Sequence, residues 1–209
     1  GIKYSEGGKY YLALQDPFPF KGASAGAAGA VAQGPATSIG APAAARTRPD
    51  GSVAPPAFAL GDLDGDRVLD LVLCGQGAAG GPRAQIWKGA PGGTAFEKAS
   101  DLEADGAAVA LGDLDGDGDL DLVLADDSAL RVFDNDGKGT FTPSKLNLPA
   151  AAAGFPLQVL VFDADAEWDL DILVLRQVKD GARLGTSLEL LVNNRAGTFE
   201  DMAGKIGIA

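Results

Sequence analysis

Short apolar runs, each of four to six residues and each cut off by glycine, asparagine or aspartate, recur along this chain in groups of four. The first member of each group is Ala57-Phe58-Ala59-Leu60, Ala108-Val109-Ala110-Leu111 or Val159-Leu160-Val161-Phe162, and the second covers residues 69–74, 120–125 or 170–175. A third follows as Gln85-Ile86-Trp87-Lys88, Leu130-Arg131-Val132-Phe133 or Leu188-Glu189-Leu190-Leu191-Val192. The fourth is Thr94-Ala95-Phe96-Glu97, Thr140-Phe141-Thr142 or Thr198-Phe199-Glu200. Runs this short, rich in β-branched and aromatic residues and separated by turn formers such as Asn135-Asp136-Gly137, predict strands rather than helices. Four in succession predict one antiparallel meander per group, and the chain reads as all-β.

Between the first and second run of every group lies an acidic cluster. Asp62, Asp64, Asp66 and Asp70 form one, Asp113, Asp115, Asp117, Asp119 and Asp121 the next, and Asp163, Asp165, Glu167, Asp169 and Asp171 the third. Carboxylates at loop positions 1, 3, 5 and 9 around a tight turn direct hard oxygen atoms at one point, the donor set that calcium requires. In the first two loops a glycine, Gly65 or Gly116, stands at position 4. The third has Ala164 and Ala166 as spacers and Glu167 for the third aspartate, a longer side chain and a Cβ at the turn, so it reads as a degenerate site.

Asp62 and Asp113 are 51 residues apart, Asp113 and Asp163 50. Such a period marks stacked supersecondary units, and four-stranded units of this size are β-propeller blades. The expected organisation is a blade with a calcium loop at 57–106, a second at 107–156 and a third, with the degenerate loop, at 157–209. Residues 1–20, with strand-like Lys9-Tyr10-Tyr11-Leu12-Ala13-Leu14, read as a partial or degenerate blade, and 21–56, rich in Ala, Gly and Pro, as a loop or linker. Closed propellers need about four blades or more, so the three units read as part of a larger propeller. If they stand alone, their open terminal blades are expected to self-associate or to dock on another protein.

The formal charge of −12 changes the list of partners, since 29 acidic residues face 17 basic ones and 14 of the acidic residues lie in the three clusters. Nucleic acid is excluded for want of clustered Lys and Arg. Three divalent ions would halve the imbalance and relieve the repulsion within each loop. No run is long and apolar enough to span a bilayer. The chain lacks histidine, which removes Ser-His-Asp, Cys-His and His-zinc chemistry together, and the single Cys74, in an apolar run, reads as a small core residue.

With their apolar strands, the loops resemble the FG-GAP/VCBS repeats of integrin α-subunit-type propellers and their bacterial relatives, over about residues 57–201. The ending from Gly197 to Gly207 is similar to the inter-blade segment of bacterial proteins related to cartilage acidic protein, in which a further calcium-loop blade normally follows. The resemblance implies a calcium ion in each loop, held by the side chains at positions 1, 3, 5 and 9 and by the carbonyl at position 7, which belongs to Val68, Asp119 or Asp169. An EF-hand shares the opening of the loop, but position 12 is Leu73, Leu124 or Val174 in place of glutamate, and the flanks read as strands.

Two other features are weaker. Gly75-Gln76-Gly77-Ala78-Ala79-Gly80 has dinucleotide-loop spacing, but Pro82 stands where a helix should run, so it reads as a connecting loop. Residues 177–185 read as a longer surface insertion between the second and third strands, Trp87 as core, and Trp168 as a side chain able to stack on a sugar. The expected function is a calcium-stabilised, non-catalytic interaction or adhesion module of an extracellular, cell-surface or periplasmic protein, with a protein or glycan partner. The alternatives are a sugar-binding lectin and an accessory propeller of a polysaccharide-active enzyme.

Overall fold

Twelve strands, grouped in fours by sequence order, dominate the computed structural model, which describes residues 46–75, 84–92 and 95–208. The strand material expected at 1–20, most of the 21–56 linker, Thr94 and the glycine-rich stretch 76–83 lie outside them. The first sheet is β1 (Phe58–Gly61), β2 (Asp70–Leu73), β3 (Ala84–Gly89) and β4 (Phe96–Leu102). The second is β5 (Ala108–Gly112), β6 (Asp121–Ala125), β7 (Leu130–Asn135) and β8 (Phe141–Pro143), and the third β9 (Phe155–Phe162), β10 (Asp171–Asp180), β11 (Arg183–Asn193) and β12 (Phe199–Asp201). Each is an antiparallel meander in chain order. The chain is all-β, built of propeller blades.

Side-chain alternation along the second strand of a blade tells each face what to cover. In β6, Leu122 and Leu124 pack on Val72, Cys74 and Ile86 of the first blade, while Val123 and Ala125 pack on Val159, Ile172 and Val174 of the third. All of these are buried, and burying each leucine or isoleucine contributes roughly 1.5–3 kcal/mol. Cys74 belongs to this core, and burial pushes its thiol up to about 12, which keeps it protonated and unreactive. Trp87 is buried as well.

Blades approach closely where the first two of these first strands end. A Cβ at Gly61 would lie 2.7 Å from Leu120 Cδ1, and one at Gly112 would lie 2.5 Å from Val161 Cγ1. In the third blade that position is Phe162, which is exposed.

The third blade departs from the expected pattern in length. Its insertion 177–185 is no loop: β10 and β11 run on as a paired hairpin, from Ile172 opposite Leu191 to Asp180 opposite Arg183. The turn is Gly181-Ala182, with Gly181 at φ 58°, so a glycine at the first turn position is the hairpin signal. At its root, Arg176 is fully buried and donates from Nε to Glu189 Oε2 at 2.5 Å and from Nη1 to the carbonyls of Asp126 and Gly154. Glu189 Oε1 accepts from Ala152 N–H. This pair ties the hairpin to the second blade and to the connection between them. A four-residue helix, α1 (Ala203–Ile206), follows β12 where no helix was expected.

Candidate metal centre

Each acidic loop folds by having its own carboxylates accept backbone N–H groups. Asp62 takes Gly65 and Arg67, Asp113 takes Gly116 and Gly118, and Asp163 takes Glu167 and Trp168. The turn needs left-handed backbone at positions 4 and 6. Gly65 and Arg67 supply it in loop 1, at φ 76° and 69°, and Gly116 and Gly118 in loop 2. Loop 3 takes the same shape without glycine, with Ala166 at 64° and Trp168 at 69°. A side chain in that region costs about 1–2 kcal/mol per residue.

Carboxylate oxygens converge in all three. Oxygens of Asp62, Asp64 and Asp66 lie within 4.8 Å of one another, as do those of Asp113, Asp115 and Asp121, and those of Asp163, Asp165 and Asp169. Of the expected positions, Asp70, Asp117, Asp119, Glu167 and Asp171 stay outside these groups. Loop 3 brings in Asp169, at position 7, through its side chain.

The aspartate at position 9 has a second task. Asp70 is buried, and its two oxygens accept from Leu63 N–H at 2.9 Å and Gly89 N–H at 2.8 Å. Asp121 does the same with Leu114 and Asn135, and Asp171 with Ala164 and Asn193. This residue staples the loop to the end of the third strand. Each of its oxygens keeps one lone pair beyond the bond described.

Residues from the third strand make the loops unequal. By register, Lys88, Asp134 and Val192 occupy one place in the three blades, each just before the Gly89, Asn135 or Asn193 that meets position 9. Lys88 Nζ donates to Asp64 Oδ2 at 2.7 Å and holds that carboxyl below its ordinary range. In loop 2 the same place holds a further carboxylate, Asp134, whose Oδ1 is buried without a hydrogen-bond partner. Burial, with repulsion from Asp117, Asp134 and Asp113, pushes Asp115 up. Burial foremost pushes Asp121 up to about 6, with Asp115 and Asp134 adding to it. Burial also raises Asp171. Near loop 3, Arg195 Nε lies 3.0 Å from Asp169 Oδ2, while Asp169 Oδ1 is buried without a partner.

Two asparagines join neighbouring loops. Asn135 Nδ2 donates to the carbonyls of Leu63, in the preceding loop, and Leu120; Asn193 Nδ2 reaches Leu114 and Leu170 in the same way. The sequence marks Asn135 only as a turn former and gives no role to Asn193, Lys88 or Asp134. Their only signal there is a common phase at the end of the third strand.

A model of the FG-GAP-like repeat matches residues 62–124 and again 113–174, together more than half of the chain. The chain belongs to the FG-GAP-like repeat family. No curated protein matches it. Each matched FG-GAP-like segment begins at the first carboxylate of one loop and ends in the second strand of the next blade, so it contains both carbonyls that one asparagine joins, Leu63 and Leu120 for Asn135 and Leu114 and Leu170 for Asn193. FG-GAP-like repeats build interaction modules, generally without catalysis and typically in extracellular proteins, and they often bind calcium. Among the described residues no helix is long and apolar enough to cross a membrane. The donor sets suit a hard cation: all oxygen, three carboxylates per loop, with orphaned buried oxygens beside loops 2 and 3.

Proposed function

We propose that this chain is a calcium-stabilised, non-catalytic interaction module of an extracellular or periplasmic protein, with a protein as its partner. The observation that carries the reading is loop 2. Three converging carboxylates there face a fourth, Asp134, with a buried oxygen that no hydrogen bond satisfies. Like charges packed this way destabilise a fold unless a cation sits among them. Asp113, Asp115 and Asp121 would hold the ion in loop 2, Asp62, Asp64 and Asp66 in loop 1, and Asp163, Asp165 and Asp169 in loop 3.

A bound calcium ion supplies charge neutralisation and cross-linking of oxygens, with no chemistry on a substrate. The residues do the rest. Asp121 fastens loop 2 to β7, and Asn135 fastens β7 to loop 1, so a rigid loop fixes the angle between blades and the face they present. Modules of modest calcium affinity fill at roughly 0.1–1 mM, the level outside cells, which supports an extracytoplasmic location. Calorimetric titration with calcium tests this, with Asp115→Ala and Asp64→Ala as companions. Each should lower the stoichiometry, and unchanged stoichiometry in both variants would remove the coordination reading.

A glycan as partner is the second reading, and one observation favours it. Trp168 is 94% exposed and lines a cleft of about 520 Å³ with Asp115, Asn193 and Arg195. An exposed indole is a platform for a sugar ring. A glycan array read with the wild type and Trp168→Ala separates the two.

A further inference from the structure

Among the described residues the outer edge of β11 is largely open. On its inner side the strand pairs with β10 along its length, but β12 covers only Leu191, Val192 and Asn193 on the other. One more bond, Met202 N–H to the carbonyl of Leu190, closes that side. Since alternate residues of a strand turn their N–H and C=O groups to opposite neighbours, Leu190 fixes the phase: Leu188, Thr186 and Leu184 also face outward. No described residue pairs with them there. Leu184 is 49% exposed and Thr186 is exposed. In the first blade, by contrast, β4 covers β3 from Ala84 to Gly89.

We propose that this edge pairs antiparallel with the same edge of a second copy of the chain, about a two-fold axis at Thr186. Strand edges with free main-chain groups are templates for another strand, and a two-fold contact needs a segment that matches itself in reverse. Arg183-Leu184-Gly185-Thr186-Ser187-Leu188-Glu189 does so. Leu184 falls opposite Leu188 of the partner subunit and Thr186 opposite itself, giving two apolar pairs and a Thr–Thr pair with no like charges in register, while Glu189, opposite Arg183, stays on Arg176. Main-chain groups exchange about six hydrogen bonds. Neighbouring registers fail. A two-residue slip one way sets Leu184 against Leu190, whose carbonyl already serves Met202, and a slip the other way draws in Ala182 of the turn and breaks both leucine pairs. The joined sheets form one continuous eight-stranded surface.

Sedimentation of the full 209-residue chain from about 1 to 100 µM tests the pairing. The wild type is expected to dimerise, and Thr186→Pro and Leu184→Lys to weaken the dimer by about tenfold or more. Among the described residues nothing accepts from Thr186 N–H, so proline removes only an intermolecular partner, and unchanged thermal midpoints would confirm folded variants. Amide exchange on the wild type gives a readout that needs no variant: the Leu184, Thr186 and Leu188 amides should slow as concentration rises. A monomer at the highest concentration, or concentration-independent exchange at those three amides, overturns the proposal. So does a dimer that Phe162→Glu dissociates and Thr186→Pro leaves intact, because that contact would run through the exposed face of the third blade.

Discussion

The ammonium of Lys88 rests 2.7 Å from Asp64 Oδ2, placing a fixed positive charge beside the first acidic loop where the second loop meets Asp134. The pair is partly exposed, so its own contribution to stability is at most about 1 kcal/mol. Its larger effect is on what else the loop can hold. Lys88→Met is expected to raise calcium affinity at loop 1 by about three- to tenfold, since one like charge is removed from beside the ion. Calorimetry on an Asp115→Ala, Asp165→Ala background isolates that site, and an unaltered dissociation constant would show that Lys88 swings clear.

Asp134→Asn should act in two opposite directions. Without metal it removes a repelled carboxylate and raises the thermal midpoint; with calcium it weakens loop 2 by about tenfold, as expected for losing one charge from a shell of four. Paired calorimetric scans with and without chelator read both arms. A midpoint that falls in chelator would mean that Asp134 makes a favourable contact in the metal-free fold.

The metal-free chain should lose stability as pH rises through the window from about 4 to 6. Asp121 sits at about 6 in the folded state against about 3.9 in an unfolded chain, so between those values the fold keeps a proton that the unfolded chain has released. Its stabilising protonation is complete below pH 4 and gone above pH 6. Asp115 and Asp171, both raised, act in the same sense, while Asp64 and Asp126, both lowered, add stability as pH rises towards the ordinary carboxylate range. Calcium should cancel the decline by favouring the ionised forms. Denaturant titrations at pH 4.5 and 7 in chelator and in millimolar calcium test the sign, and a metal-free protein firmer at pH 7 contradicts it.

Ala166→Gly in the third loop should stabilise the protein by about 1 kcal/mol, because it relieves a Cβ held at φ 64°. The gain is predicted in chelator and in calcium alike. A loss in both would mean that the loop has another shape in solution.

Glu189→Ala leaves Arg176 charged and buried without its partner, and should cost about 3–5 kcal/mol, whereas the double change Arg176→Met, Glu189→Leu should lie within about 1–2 kcal/mol of the wild type. Urea midpoints of the two variants measure the difference. Equal losses would assign the effect to packing rather than to the stranded charge.

The blades were legible in the sequence because each local signal points the same way: alternating apolar residues, turn formers at fixed offsets and a 50-residue phase. The site was legible only as far as it is local. Asp62, Asp64 and Asp66 meet because they sit on one turn, but Lys88 and Asp134 join their loops through strand register, 18 and 13 residues beyond the loop's last aspartate, which no loop motif contains. Asp70, Asp121 and Asp171 show the same limit. Their spacing marks an acidic position, and only the fold shows each carboxylate holding two backbone amides. Gln177 to Gly185 misled for a different reason: polar and glycine residues there mimic a loop, while the pairing of Leu175 with Leu188 and Val178 with Gly185 continues a strand.

Asn135 and Asn193 carry a consequence for how the array responds to its surroundings. Each grips a main-chain oxygen in the previous turn while its own amide is held by the next, like a pawl between two teeth. Setting one turn therefore steadies the tooth on which its successor hangs, and slack introduced at Leu63 is passed to Asp121 and onward through Leu114 to Asp171. Metal-dependent order along the wheel should thus spread from neighbour to neighbour rather than arise three times over.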